Sequence, residues 1–454
     1  MTYSIRDLLT HVADRAATYL ETLSKRAVVP TAKALARLDE LDEPLPDAPT
    51  AADKVLATLD EIGSPATVAS AGSRYFGFVT GGALPAALAA NWMAGAWDQN
   101  VAFRVHSPIA SKIEDVAMRW VLDVLRLPAT SAVSFTTGAT MANFTALAAA
   151  RHAVLEKVGW DVEANGLFGA PSIHVVVGEE VHSSLFRVLS LLGLGNQRVT
   201  RVAVDHQGRM RAELMPQLTG PAIICTQAGN VNSGGFDPIA DICARAHAVG
   251  AWVHVDGAFG LWAGAAPGRA HLTAGIDAAD SWATDAHKWL NVPYDSGLAI
   301  VRHPQALRSA LRLTAAYLPQ SDVREPSQYT PEVSRRARGV EVWAALRSLG
   351  RSGLADMIER NCRFATLFAE GLRDAGATVL NDVVLNQVVV KFGDAVRTMR
   401  VMTAIQQDGT CWCGPTVWQG ETAVRICVSS WATTEADITV SLAAIIRVTS
   451  AVAQ

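Results

Sequence analysis

Residues 252–297 decide the fold of this chain: they begin with WVHVDGAFGLWAG and end with SWATDAHKWLNVPYDSG. Asp256 directly follows the apolar run 251–255, which has the length and composition of a buried β-strand. Lys288 follows a second such run and lies between His287 and Trp289. The sequence therefore predicts that a carboxylate and an amine are presented together, each at the end of a strand.

A carboxylate and an amine placed in this way suit an enzyme that uses pyridoxal phosphate (PLP). In such an enzyme an amine binds the cofactor aldehyde covalently, and a carboxylate keeps the pyridine nitrogen protonated so that the ring accepts electrons. Either motif alone also fits a core aspartate or a surface lysine. Because both occur in this order, we expect Lys288 and Asp256 to be catalytic residues of a PLP site.

The composition indicates a globular protein of more than one domain. At 454 residues the chain exceeds the usual size of a single core. Half of its residues are hydrophobic and only 18% are charged, which excludes a disordered chain. The net charge of −4, without a basic block, argues against a nucleic-acid partner. The first residues lack the pattern of a signal peptide, and no apolar run is long enough to span a membrane. We therefore expect a cytoplasmic protein.

The cysteines do not form a pattern typical of a disulfide framework or a zinc site. Cys411 and Cys413 form a C-x-C pair that could in principle bind a metal. No second Cys/His pair at ligand spacing lies near it, so we expect reduced, structural thiols and no metal site.

The pattern of apolar runs divides the chain into three parts. Residues 1–60 read as a helical, acidic N-terminal segment associated with a dimer. Residues 61–325 alternate apolar strands with helices, and continuous apolar strands are typical of a mostly parallel sheet covered on both faces. Residues 326–454 read as a smaller α+β domain. The predicted fold class is α/β with a small C-terminal α+β domain.

A candidate phosphate site lies in residues 131–151, which read as strand, tight turn and helix. Gly138, Ala139 and Thr140 fall at the start of the helix, where free backbone N–H groups and the helix dipole favour an anion. A threonine capping an alanine-rich helix is the alternative interpretation.

These motifs resemble those of the group II PLP-dependent amino-acid decarboxylases, over about residues 75–434. That family has the fold of aspartate aminotransferase (PLP-dependent transferase, fold type I). Its H-V-D-A-A stretch matches Asp256 as the partner of the pyridine nitrogen, and its H-K-W stretch matches Lys288 as the lysine that binds the cofactor. Its FTSGGSEAN-like stretch matches the phosphate site above, with Met141 in place of the glutamate.

The resemblance implies roles for three histidines. His182 would cover the face of the cofactor away from the lysine, although a helix-start histidine can also simply cap backbone groups. His254 would orient the carboxylate of Asp256, with a core histidine as the alternative. At position 285 an aspartate would repel the cofactor phosphate if it pointed inward, so we expect Asp285 instead to orient His287, which can donate to the phosphate.

The chain departs from the family pattern at two places. In residues 226–238 a threonine that contacts the cofactor ring in relatives is missing, and Asn230 is our candidate for that contact. At the lysine the chain has D-A-H-K (285–288) where many decarboxylases have N-P-H-K. D-x-H-K also resembles the sphingosine-phosphate lyase branch of the fold.

The expected reaction is therefore decarboxylation of an L-amino acid to CO2 and an amine. A carbon–carbon lyase acting on an amino alcohol or phosphoester is the second reading, and an aminotransferase the third. A PLP-binding protein without turnover is a remote alternative.

The resemblance also implies a proton donor and a substrate pocket. Tyr329, in residues 328–343, would reprotonate the substrate carbon from a mobile loop, and Arg425 would bind the substrate carboxylate unless it forms a simple ion pair. Residues 75–120 match an element that crosses a dimer interface in relatives, which implies a homodimer with shared active sites. The side chains expected to line the substrate pocket, some from the partner subunit, are Phe78, Leu84, Val101 and Phe103. They weakly favour an aromatic or other apolar substrate, and each could instead be an ordinary core residue.

Overall fold

The structure is a computed structural model that describes residues 4–312 and 323–452. Short 3-10 turns connect several of its helices. The α-helices of the described residues are α1 (Ile5–Thr22), α2 (Ala32–Ala36), α3 (Ala52–Thr58), α4 (Ser64–Ala66), α5 (Pro85–Trp97), α6 (Pro108–Val124), α7 (Ala139–Glu156), α8 (Val162–Asn165), α9 (Ser183–Leu191), α10 (Ile239–His247), α11 (Pro304–Ala310), α12 (Gly339–Asp374, broken at Gly350), α13 (Ala395–Asp408) and α14 (Glu435–Val452).

The strands fall where the sequence has short apolar runs. The strands of the described residues are β1 (Ala132–Thr136), β2 (His174–Gly178), β3 (Val199–Val202), β4 (Ala222–Gln227), β5 (Trp252–Asp256), β6 (Ser281–Asp285), β7 (Gly297–Val301), β8 (Thr378–Val379), β9 (Gln387–Lys391), β10 (Gly414–Trp418) and β11 (Glu421–Cys427).

A seven-stranded sheet with the order β1-β7-β6-β5-β4-β2-β3 forms the larger part of the fold. Strands β3, β2, β4, β5 and β6 pair in parallel, and β7 runs antiparallel to both β6 and β1. Every residue of β1, β4, β5, β6 and β7 is buried. The expectation of a mostly parallel sheet covered on both faces is therefore confirmed, and the physical reason is that strands buried on both sides carry continuous apolar runs.

The chain folds into two compact units. The large unit contains Gly81–Thr366 and Leu380–Val389, and the small unit contains the described residues up to Thr80 together with Leu367–Val379 and the described residues from Val390. The N-terminal segment thus shares a unit with the C-terminal part of the chain. The boundary predicted at residue 325 differs from the observed one, which lies about 40 residues later in the chain.

A buried ion pair explains why the large unit extends past residue 325. The guanidinium of Arg335 forms two hydrogen bonds, of 2.6 and 2.8 Å, with the carboxylate of Glu114 on α6. The backbone of Arg335 also pairs with residues 100 and 101: its N–H donates to Asn100 Oδ1, and its C=O accepts from the N–H of Val101. Arg335 makes these contacts just before the helix, and α12 begins at Gly339.

The small unit is built around a four-stranded sheet with the order β10-β11-β9-β8. Helices α13 and α14 pack against each other, and α13 also contacts β11. The rings of Tyr75 and Trp412 stack in this unit with centroids 5.0 Å apart. Within residues 4–312 and 323–452, no helix combines the length and the apolar character that crossing a membrane would require.

Candidate active site

The carboxyl ends of three neighbouring parallel strands place polar side chains together. Gln227 ends β4, Asp256 ends β5 and Asp285 ends β6, and all three line a cavity of about 370 Å³ in the large unit. The start of α7, which follows β1, lines the same cavity. Ligands of open α/β sheets bind at this edge, because loops and helix N-termini converge there.

Lys288 lies one turn beyond β6, and its amine points at an acid. The Nζ atom is 2.9 Å from Oδ2 of Asp285, and Lys288 lines the cavity. Burial lowers the pKa of Lys288, but the charge of Asp285 and its hydrogen bond raise that pKa by more, so that it lies above its ordinary value. The lysine is therefore held as an ammonium ion by this contact.

Asp256 is buried and fixed by two hydrogen bonds. Its Oδ1 accepts from the N–H of Ala258 and its Oδ2 accepts from Nδ2 of Asn143 on α7, each at 3.2 Å. Burial raises the pKa of Asp256, and the charges of His182 and Lys288 act against this rise. A buried carboxylate with a raised pKa is a good proton partner for a pyridine nitrogen.

A chain of hydrogen bonds supports Asn143 from behind. His254 Nε2 is 2.7 Å from Oδ1 of Asn143, and His254 Nδ1 is 2.9 Å from Oγ of Ser281. That Oγ also accepts from the indole N–H of Trp252 at 2.8 Å, so its own proton is available for His254 Nδ1. His254 Nε2 then carries the imidazole proton and donates it to Asn143, whose amide in turn donates to Asp256.

His254 therefore acts on Asp256 through Asn143 and not directly. Burial lowers the pKa of His254 to about 3, so the ring is neutral at physiological pH and keeps a single proton for this chain of donors. Sequence reasoning missed Asn143, although it stands at the last position of the family stretch that matches residues 135–143. The asparagine is visible in the sequence, but its role depends on a contact between α7 and β5.

The start of α7 lies at the cavity, where the sequence predicts an anion site. Gly138, Ala139 and Thr140 all line the cavity. Backbone approach is close here, because a Cβ on Gly297 of β7 would lie 2.4 Å from the Cα of Gly138. Only glycine at position 297 allows β7 to pack this tightly against the turn that opens α7.

Asp285 occupies part of that anion site. Its Oδ1 accepts from the N–H of Ala139, the first residue of α7, at 2.5 Å. The same oxygen is 3.4 Å from Nε2 of His287. The expectation that Asp285 mainly orients His287 is therefore incomplete, because its closest partners are Ala139 and Lys288.

His287 has a defined tautomer. The N–H of Ser296 donates to its Nδ1 at 3.1 Å, so in the neutral ring Nε2 carries the proton and faces Asp285. Burial lowers the pKa of His287, which favours this neutral form. His287 thus remains a candidate donor to a phosphate, as predicted.

His182 lines the cavity at the start of α9. Its Nδ1 accepts from the N–H of Ser184 at 3.3 Å and lies 2.7 Å from the Ser184 hydroxyl. His182 thus caps the helix and also borders the cavity, and its role in covering one face of the cofactor stays a prediction.

Asn230 takes a different place from the one predicted. Its side chain is buried, with Oδ1 accepting from the N–H groups of Asn232 and Ser233. It is absent from the residues that line the cavity, whereas Gly229 and Val231 on either side do line it. Asn230 therefore shapes the loop, and its neighbours form the wall. A single sequence does not reveal which way consecutive loop residues point.

Tyr329 does not lie on an exposed loop. It ends a 3-10 turn (Pro326–Tyr329) and is buried in an apolar cluster that includes Ala132 and Leu307. The guanidinium of Arg324 lies 4.5 Å from the centre of its ring. Tyr329 is not among the residues that line the cavity in this single chain, so its role as a proton donor stays a prediction.

The predicted substrate residues are not brought to the cavity within the large unit. Leu84 is buried and donates its N–H to Asn291, Val101 packs in a cluster with Ala110, and Phe103 is half-buried. Phe78 and Arg425 belong to the small unit, where Phe78 is exposed beside Trp412. Their substrate roles stay predictions.

The cavity residues fit PLP. A helix N-terminus, an imidazole donor, a buried carboxylate and an amine line one cavity, and these are the groups that would hold the phosphate, the pyridine nitrogen and the aldehyde of the cofactor. Residues that would contact the phosphate are Ala139, Thr140 and His287. Asp256 would contact the ring nitrogen, and Lys288 would bind the aldehyde.

Known proteins with similar sequences include amino-acid decarboxylases. The chain is 29% identical to L-2,4-diaminobutyrate decarboxylase of Rhizobium meliloti (strain 1021) over 416 residues, which is 86% of this chain and 80% of that protein. It is 27% identical to aromatic-L-amino-acid decarboxylase of Bacillus atrophaeus over 269 residues, or 56% of this chain. In that second comparison the chain spans about half (54%) of the relative's length.

Solved structures agree on the fold. The structure of Oryza sativa TDC with PLP and tryptamine superimposes with a TM-score of 0.90 at 22% identity, covering 98% of both chains. Catharanthus roseus tryptophan decarboxylase in complex with L-tryptophan gives a TM-score of 0.87 at 20% identity, again with 98% of both chains covered.

The family model for the pyridoxal-dependent decarboxylase conserved domain matches residues 35–392. This range includes all the cavity residues described above and most of the chain. The chain therefore belongs to the pyridoxal-dependent decarboxylase family.

Proposed function

We propose that this protein is a PLP-dependent decarboxylase that converts an L-amino acid to CO2 and an amine. The observation that carries the proposal is the convergence of Lys288, Asp256 and the N-terminus of α7 in one cavity. Membership of the decarboxylase family supports the same reaction.

Each residue has a definable task. PLP, when bound, supplies an electron sink that lowers the barrier to breaking a bond at the substrate α-carbon. Asp256 would hold a proton at the ring nitrogen, and the neutral His254 with Asn143 keeps the carboxylate in place. Lys288 would hold the cofactor through its aldehyde, and its amine would move a proton. The side chains of Phe259 and Val231 on the cavity wall exclude water from the reacting bond.

The substrate we favour carries an aromatic or other apolar side chain. The apolar wall residues and the aromatic amino-acid decarboxylases among the relatives support this choice. Diaminobutyrate is the chief competitor, because a decarboxylase of that amino acid matches most of the chain.

A screen for CO2 release tests the proposal. Purified protein supplied with PLP would be incubated with carboxyl-labelled proteinogenic amino acids and with 2,4-diaminobutyrate. We expect labelled CO2 from a small set of aromatic or apolar amino acids, and none from Lys288→Ala. Lys157→Ala is the matched control, since Lys157 is an exposed lysine on the same unit that bonds only to the carbonyl of Gly250. CO2 release that persists in Lys288→Ala would refute the proposal.

Product analysis separates the neighbouring reactions. Some relatives are named phenylacetaldehyde synthase, so the aldehyde is measured beside the amine by mass spectrometry. A keto acid without CO2 release would instead indicate an aminotransferase. Cleavage of a phosphorylated amino alcohol would support the carbon–carbon lyase that the D-A-H-K sequence suggested.

We also propose that the protein is a homodimer. Large apolar side chains on α5 and just after it are exposed in the single chain, including Trp92, Met93 and Val105. Such a concentration of exposed apolar surface is typical of a contact between protein chains. A second copy of this chain is the partner we favour, because the resemblance of residues 75–120 to the family implies an element that crosses a dimer interface. Phe103, which lies between α5 and α6, would then reach the partner's substrate pocket.

A cytoplasmic location remains part of the proposal. The six cysteines are buried, and the sequence shows no pattern typical of the disulfide framework of a secreted protein.

A further inference from the structure

The carboxylate of Asp285 makes a contact at the start of α7 that a cofactor phosphate would also need, and it also pairs with Lys288. Oδ1 accepts from the N–H of Ala139 at 2.5 Å, and Oδ2 is 2.9 Å from Nζ of Lys288. Asp285 is almost fully buried, at 2% exposure, and it lines the cavity. The carboxylate thus lies at the positive end of the α7 dipole, where an anion is most favoured.

We propose that Asp285 competes with the cofactor phosphate for the N-terminus of α7, so that phosphate binding requires uptake of a proton by the carboxylate–phosphate pair. This inference rests on the proposed use of PLP and adds to it a determinant of cofactor affinity. Two anions that share one donor in a buried site cannot both keep full charge without a large cost. One proton between them turns the repulsion into a hydrogen bond.

Asp285 is the residue whose substitution tests this competition most directly, because its neighbours lie on separate parts of the site. Lys288 and His287 face it from the turn after β6, and Asp256 faces it from β5. Tyr294 and Asp295 act on the same neighbourhood through Lys288 and His287. From α7 only the backbone N–H of Ala139 contacts the carboxylate. Changing Asp285 alone leaves all these groups in place.

The test compares wild type with Asp285→Asn, an amide of the same shape. Binding of PLP, of inorganic phosphate and of pyridoxal, which lacks the phosphate, would be measured by calorimetry and absorbance from pH 6 to 9. A like-charge interaction at close range is worth about one to three pKa units, so we expect PLP and phosphate to bind about tenfold or more tightly to Asp285→Asn at pH 8. Inorganic phosphate does not react with Lys288 and therefore isolates the anion contact, whereas pyridoxal, which brings no second anion, reports the effect of the substitution on Lys288 alone.

The pH dependence gives a second, independent readout. For wild type the affinity for phosphate should fall more steeply with rising pH than for Asp285→Asn, because one more proton is taken up on binding. Calorimetry of wild type in buffers with different heats of ionisation counts that proton directly. This measurement needs no variant, so it decides the question even if Asp285→Asn folds poorly.

A matched control isolates the contact from general charge. Asp295→Asn also removes one negative charge near His287, but Asp295 is partly exposed and paired with Arg338. We expect this variant to leave phosphate affinity within about twofold of wild type.

Two outcomes would overturn the inference. If Asp285→Asn binds PLP and phosphate more weakly than wild type, the carboxylate supports the site and does not compete with the phosphate. If wild type takes up no additional proton on binding phosphate, and its affinity follows the same pH profile as the variant, the competition is absent. In both cases PLP still binds and the proposed function stands. Failure of every form to bind PLP would instead refute the proposed function, and this inference with it.

Discussion

At the scale of single residues, the site depends on the hydrogen bonds that fix each charged side chain in one orientation. Asp256 is buried, and its geometry is set by Asn143 and the backbone of residue 258. Behind Asn143, the neutral His254 and the hydroxyl of Ser281 continue the chain of donors. Because every member has its partner, the carboxylate has one orientation, which is what preorganised stabilisation of a positive ring requires.

Asn143→Ala should weaken catalysis without unfolding the protein. The change removes a donor to a charged oxygen, worth about 1.5–3 kcal/mol, and so we expect kcat to fall about 10- to 100-fold with little change in KM. Asp256→Asn removes the charge itself, so its kcat should fall by at least ~10²-fold, and this fall is the upper reference for Asn143→Ala. Thr145→Val is the control, because Thr145 is buried on the same helix and bonds only to the carbonyl of Met141. Equal kcat values for Asn143→Ala and the control would show that Asn143 is only structural.

Tyr329→Phe should leave the product unchanged. Tyr329 is packed in an apolar cluster and covered by Arg324, so loss of its hydroxyl should cost about 1 kcal/mol or less of stability and no chemistry. Mass spectrometry of the product and urea unfolding check both statements. An aldehyde in place of the amine would support Tyr329 as the proton donor that the sequence predicts. It would contradict the view that Tyr329 only packs in the apolar cluster.

Residues with a local signature could be predicted from the sequence, and others could not. Lys288, Asp256 and the Gly138–Thr140 turn follow apolar runs directly, so their place at the cavity follows from the chain itself. Asn143 and the inward turn of Asp285 depend on contacts between α7, β5 and β6, which are distant in sequence. The position of Tyr329 and Asn230 along the chain could be predicted, but the direction of their side chains could not.

At the scale of elements, the order of strands explains why the cavity exists. Five parallel strands end at one edge, and the antiparallel β7 enters between β6 and β1. This arrangement brings Gly297, at the start of β7, against Gly138, just before α7. The anion site thus depends on a glycine contact between two elements. Apolar runs predicted the strands, but this close approach has no signature in a single sequence.

Gly297→Ala should damage both stability and cofactor binding. Its Cβ would lie 2.4 Å from the Cα of Gly138, so the backbone must move, which costs about 1–3 kcal/mol for overpacking. The start of α7 then shifts, and PLP affinity should fall. Gly353→Ala is the control: Gly353 lies within α12 and meets only ordinary contacts, at 3.6 Å from Leu349, so alanine should be neutral or slightly stabilising there. Urea unfolding and PLP titration report the two effects, and unchanged values for Gly297→Ala would contradict the contact.

At the scale of the whole molecule, the division into two units joins the N-terminal segment to the C-terminal part of the chain. Sequence analysis divides a chain into consecutive segments. It therefore did not predict that the N-terminal and C-terminal parts share one unit. The apolar side chains on α5 belong to the large unit, and in a single chain they are exposed to solvent. We explain it by a second copy of the chain.

Trp92→Asp should convert the dimer to a monomer. Trp92 is 46% exposed on α5, and a buried charge in an apolar interface is strongly unfavourable. Val249→Asp is the control, since Val249 is a similarly exposed apolar residue outside α5. Light scattering at micromolar concentration should give a dimer for wild type and for the control. A monomeric, fully active wild type would refute the homodimer.

Mixing experiments test whether the active sites are shared. Lys288→Ala and Phe103→Asp are each expected to be inactive, and a mixed dimer contains one site with both residues intact if Phe103 reaches across. Partial recovery of CO2 release on mixing supports this arrangement. Recovery would fail if each subunit holds a complete site.

The central claim is that the cavity between β5, β6 and α7 binds PLP covalently through Lys288. Borohydride reduction of the PLP-loaded protein, followed by peptide mapping by mass spectrometry, tests it most directly. We predict a single pyridoxyl-modified peptide that contains Lys288, and none in Lys288→Ala. Modification of a different lysine, or persistent labelling of the variant, would contradict the account.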